Sequence, residues 1–95
     1  MAKVKTKLFD AADYLDSPET ISAYLDEAFD TGDAGFIARA LGTVARAKGM
    51  AKVARKSKLS RESLYKSLSA EGNPEFATIL KVMKALDLRI TAKAG

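Results

Sequence analysis

The sequence predicts an all-α bundle of about five helices, with a short helical turn at the N-terminus and a short strand at the C-terminus. Three observations carry that expectation. Apolar residues recur at three- and four-residue spacing over most of residues 17–86, as the buried face of a helix requires. Most of these stretches open on a Ser, Asp or Asn placed to cap a helix, and Gly or Pro separates them. Residues 88–92, Leu-Arg-Ile-Thr-Ala, instead alternate apolar and polar side chains and favour a strand.

Taken in order, residues 1–8 read as a basic arm carrying Lys3, Lys5 and Lys7. Phe9 to Leu15 suits a short helical turn, with Phe9, Ala12 and Leu15 directed to the core. Ser17-Pro18-Glu19 combines an N-cap, a proline at the first helical position and an acid in the first turn. The helix it opens has Ile21, Tyr24, Leu25, Ala28 and Phe29 on its apolar face and ends at Thr31-Gly32. Asp33 is placed to cap a second helix over roughly 34–48, whose apolar face is Phe36, Ile37, Ala40, Leu41 and Val44. Arg39, Arg46 and Lys48 project elsewhere on it, two of them close to its C-terminal dipole. Gly49 ends that helix. After residues 69–74, a loop, Asn73 and Pro74 are expected to start the last helix, with Phe76, Ile79, Leu80, Val82, Met83 and Leu86 as a broad apolar face. The strand at 88–92 needs a partner, expected in a second subunit, a bound protein or the N-terminal arm.

Residues 50–68 are the centre of the chain. They read as two short helices around a tight turn, with Val53, Ala54, Leu59, Leu64 and Leu68 forming the inner seam. Ser60 is the N-cap of the second helix, and Leu59 and Leu64 stand at the two positions of a hydrophobic staple. That leaves Ser60, Arg61, Glu62, Ser63, Tyr65 and Lys66 for the outer face, a set that suits base readout in a DNA major groove. Arg61 is the first candidate, because its guanidinium can grip guanine O6 and N7 together. The backbone N–H groups of Met50 and Ala51 at the first helix start, and the side chains of Lys52, Arg55, Lys56 and Lys58, are the candidate phosphate contacts.

Composition narrows the function classes. With 95 residues, 47% of them hydrophobic, the chain has material for one domain, read as a single DNA-binding domain over 1–95. It has no Cys and no His, which excludes disulfides, thiolate or imidazole catalysis and Cys/His metal sites. No catalytic or metal-binding residues and no cofactor are expected, and the chain reads as a binding protein rather than an enzyme. The apolar runs fall far short of a membrane span, so a cytoplasmic protein is expected. Charge is segregated: residues 9–35 hold eight Asp or Glu and no Lys or Arg, whereas residues 39–66 hold nine Lys or Arg against Glu62 alone. The basic block coincides with the two-helix unit, as a phosphate-facing surface would. The acidic stretch without His, Cys or a phosphate loop is read as a solvated face.

The words Val53-Ala-Arg-Lys-Ser-Lys-Leu-Ser-Arg-Glu-Ser-Leu-Tyr-Lys-Ser-Leu-Ser69, Glu71-Gly-Asn-Pro74 and Ile79-Leu-Lys-Val-Met-Lys-Ala-Leu86 resemble the addiction-module antidote family. The likeness extends through Phe9–Leu15, Tyr24-Leu25 and Arg46–Met50. These are small prokaryotic helix-turn-helix proteins of the λ-repressor-like (Xre) superfamily, HigA-type. The resemblance implies a λ-repressor-like fold and an antitoxin that binds double-stranded operator DNA, an inverted repeat, as a homodimer. It also implies a RelE/HigB-like toxin as partner, with the acidic residues 10–30 as a candidate contact for it. A stand-alone phage-like regulator and a toxin-binding module without DNA binding remain alternatives. One departure stands out: Lys58 occupies the turn position where the superfamily usually has Gly, so Lys58 is expected to be left-handed and strained.

Overall fold

The computed structural model describes residues 11–69 and 71–95. Among them are a 3-10 turn, Ala11–Tyr14, and five α-helices: α1 Pro18–Asp30, α2 Ala34–Lys48, α3 Met50–Ser57, α4 Arg61–Ser67 and α5 Phe76–Ala85. The all-α class therefore holds. The basic arm expected at residues 1–8, and Phe9, lie outside the described residues.

Local chemistry sets most helix starts. Ser17 and Thr20 form a reciprocal capping box: the Ser17 hydroxyl accepts from the Thr20 N–H and the Thr20 hydroxyl accepts from the Ser17 N–H, both at 3.2 Å. At α2, the Asp33 carboxylate accepts from the Phe36 N–H at 3.0 Å. Ser60 does the same for α4, accepting from the Ser63 N–H at 2.9 Å. Between α2 and α3 a single residue, Gly49, turns the chain at φ 103°, ψ 111°, a conformation open to Gly because it has no Cβ.

The helices wrap one apolar core in which Leu41, Val44, Val53, Leu64 and Val82 are essentially inaccessible to solvent. Burying side chains of this size supplies roughly 1.5–3 kcal/mol each, and truncating one leaves a cavity. α1 packs on α2, and α3 is held between α2, α4 and α5. At the α2–α4 crossing Gly42 makes the close approach: a Cβ there would stand 2.6 Å from the Leu68 carbonyl oxygen. The Leu68 backbone thus fixes α4 against α2.

Two expectations about the C-terminal third are overturned. No strand is present among the described residues, and the segment 88–92 is irregular. The alternation there has another origin. α5 ends in a Schellman motif: Asp87 takes a left-handed φ of 61°, its N–H bonds the Lys84 carbonyl at 3.0 Å, and the Leu88 N–H bonds the Met83 carbonyl at 2.9 Å. Leu88 is half-buried and packs on the core as part of that helix end. The tail then passes beside α1, where Lys93 pairs with Asp26 at 3.9 Å. Among the described residues no neighbouring strand completes a ladder with the backbone of 88–92.

The start of α5 is also displaced. The chain stays extended through Glu75 (φ −66°, ψ 154°), so Glu75 rather than Asn73 is the N-cap, and it makes no side-chain capping bond. Not every residue on the predicted apolar stripes is buried. Phe29, Phe36, Phe76 and Leu80 are exposed, because each helix carries more apolar side chains than its inward arc can cover.

Candidate nucleic-acid interface

The unit at 50–68 forms from its own sequence. α3 runs to Ser57 and stops because Lys58 turns left-handed (φ 63°, ψ 29°), as expected for the turn. The Ala54 carbonyl then accepts N–H bonds from both Lys58 and, at 3.1 Å, Leu59, and a third bond from the Ser57 hydroxyl at 3.3 Å. That cluster locks the turn, and Ser60 opens α4 two residues later. A left-handed non-Gly residue costs roughly 1–2 kcal/mol, so the turn survives because these bonds and the core outweigh it.

Of the inner-seam residues, Val53, Ala54, Leu64 and Leu68 are buried and Leu59 is half-buried. Ser60, Arg61, Glu62, Ser63, Tyr65 and Lys66 are all exposed. At about 100° per residue, Glu62 and Lys66 stand farthest from the Leu64–Leu68 seam, with Arg61 and Tyr65 flanking it. Tyr65 is 51% exposed.

The candidate phosphate contacts fall into two groups. At the start of α3 the first backbone bond is donated by Val53 to the Gly49 carbonyl at 3.0 Å, so the N–H groups of Met50 and Ala51 precede the ladder. The Met50 side chain itself is buried; Ala51, Lys52 and Arg55 are exposed. Met50 and Tyr65 share a groove of about 410 Å3 with Arg39, Thr43 and Arg46 of α2. The Arg46 guanidinium donates to the Thr43 hydroxyl at 3.4 Å, while the Arg39 guanidinium lies 5.8 Å from the centre of the Phe36 ring. These two arginines were read from the sequence as projecting elsewhere. Their spacing with Thr43 on one helical face was the available signal.

Lys56 and Lys58 lie at the other end of α3 and line a different groove, of about 490 Å3, with Lys81, Lys84 and Asp87. There Lys56 pairs with Asp87 at 3.7 Å, an exposed ion pair worth little in itself. The structure thus joins the α4 face to the start of α3 and sets Lys56 and Lys58 apart from it. Among the described residues no group of acidic, His or Cys side chains is placed to hold a metal. No helix is long and apolar enough to cross a membrane.

Comparison with known proteins bears on the whole chain. An uncharacterized protein of Haemophilus influenzae is 51% identical over 83 residues, which cover 87% of this chain and 86% of its own length. No solved structure is significantly similar. The family model described as "Probable addiction module antidote protein" matches residues 5–94. Matched over nearly its full length, the chain belongs to that antidote family.

Proposed function

We propose that the chain is the antitoxin of a type II toxin–antitoxin module, a cytoplasmic, non-enzymatic protein that represses its own operon and neutralises a RelE/HigB-like toxin. Membership of an antidote family implies a toxin as partner in general. The finer reading, that residues 50–68 are a helix-turn-helix of the λ-repressor-like (Xre) type, rests above all on one observation. A locked turn at Lys58 carries a capped helix whose inner residue Leu64 is wholly buried while Arg61, Glu62, Ser63, Tyr65 and Lys66 stay exposed. Such a helix can enter a major groove without disturbing the core.

In this reading α4 supplies base contacts, with Arg61 first. The N-terminus of α3 and Lys52 and Arg55 hold backbone phosphates, with Arg39 and Arg46 extending that set from α2. Two such units on a homodimer would read an inverted repeat. Arg61→Ala should reduce discrimination between operator and other duplexes by about 1–3 kcal/mol. Lys52→Ala should instead weaken binding to all duplexes alike and flatten the salt dependence by about one unit of log–log slope. Titrating both variants onto operator and unrelated duplexes at several salt concentrations separates the two roles. Indistinguishable behaviour of the two would remove the assignment.

A further inference from the structure

Three of the large apolar side chains that the core leaves exposed, Phe29, Phe76 and Ile90, come together in one place. Phe29 from the end of α1, Ile37 from α2, Pro74, Phe76 and Ile79 at the start of α5, and Ile90 from the tail line one groove of about 210 Å3. Phe29, Phe76 and Ile90 are 36%, 67% and 40% exposed there, so large apolar surface meets solvent in one place. A contiguous patch of this kind marks an interaction site far more often than a single exposed leucine does. The groove takes no residue from α3 or α4, and therefore lies apart from the proposed DNA-reading unit.

Charge selects the occupant. Asp26 and Asp30 line the adjoining groove, which shares Phe29 and Ile90 with this one. Asp33 stands immediately before Ala34 of the lining, and Glu75 immediately before Phe76. All four carboxylates are exposed. The cations nearby are Arg89 and Lys93, and Lys93 already pairs with Asp26. A second copy of the chain set face to face here would oppose carboxylates to carboxylates. A basic partner would meet complementary charge around an apolar centre.

We propose that this groove is where the antitoxin grips its toxin, through an apolar side chain of the toxin flanked by Lys or Arg. The inference rests on the neutralisation reading above and adds the surface and the chemistry of the partner. The anchor positions are Phe76 and Ile90, with Asp30 and Glu75 as the charged rim.

The test uses the purified chain and, as probe, the protein encoded by the reading frame adjacent to this chain's gene, followed by calorimetric titration and by growth rescue on co-expression. Phe76→Ser and Ile90→Ser should each weaken the complex by about thirtyfold or more. Asp30→Lys combined with Glu75→Lys should weaken it and reduce its salt sensitivity. Phe76→Ser and Ile90→Ser should keep the wild-type melting temperature and the wild-type affinity for duplex DNA, since these side chains are exposed. Complexes as tight as wild type would overturn the placement and leave neutralisation standing. Failure of the wild-type chain itself to bind or neutralise the probe would remove both. Sedimentation showing a dimer that Phe76→Ser converts to monomer would assign the groove to a second copy and likewise overturn the proposal.

Discussion

Lys58 shows how a single backbone conformation can be set by surroundings rather than by preference. Its φ of 63° costs a side-chain-bearing residue roughly 1–2 kcal/mol, yet the turn is held by three bonds onto the Ala54 carbonyl and by the buried side chains on either side. Lys58→Gly should relieve the strain while giving back some chain entropy, for a net stabilisation of up to about 1 kcal/mol. In a domain of this size that raises the melting temperature by roughly 4–8 °C, read by circular dichroism. An unchanged or lower value would mean that the left-handed turn is not strained. The side chain's exposure also leaves its charge available to a polyanion, which is a physical reason for a Lys to stand there.

At the scale of elements, the position of α4 depends on the small residue it meets on α2. Gly42→Ala would place a Cβ 2.6 Å from the Leu68 carbonyl oxygen and 3.3 Å from the Leu68 Cβ. Alanine favours a helix by about 1 kcal/mol over glycine, but the clash is with backbone and forces the crossing apart. The overpacking term of about 1–3 kcal/mol should win, giving a lower melting temperature and weaker duplex binding together. A more stable variant with full binding would show that the crossing is looser than described. Gly42 was invisible to the sequence reading because a crossing is made by two elements distant along the chain. What was legible was local: Ser17, Asp33 and Ser60 each bond the N–H three residues on, so the start of each helix is determined by a few adjacent residues. The same locality misled at Asn73-Pro74, whose signal the extended Glu75 overrides, and at Leu88, whose apolar side chain serves a helix end rather than a strand. For the candidate interface, the exposed face of α4 was readable by subtraction from the Leu64–Leu68 seam. Arg39 and Arg46 were not, since only the fold brings α2 beside Tyr65.

For the molecule as a whole, segregated charge becomes segregated surface. The basic residues of 39–66 lie on and around α2, α3 and α4, whereas α1 carries Glu19, Asp26, Glu27 and Asp30, the last two of which flank the exposed Phe29 along the chain. Two faces on one small core would let a single chain hold an operator and a toxin at once, so their variants should separate. Arg61→Ala should lose operator discrimination and keep toxin binding, and Phe76→Ser the reverse, assayed side by side on the same preparations. Fluorescence anisotropy decides whether the basic face reads sequence or charge alone, using the duplex upstream of the chain's own gene against a shuffled duplex of equal composition at two salt concentrations. Both affinities should fall as salt rises while the preference for the native duplex persists. Equal binding to both duplexes, vanishing together at the higher salt, would contradict sequence readout.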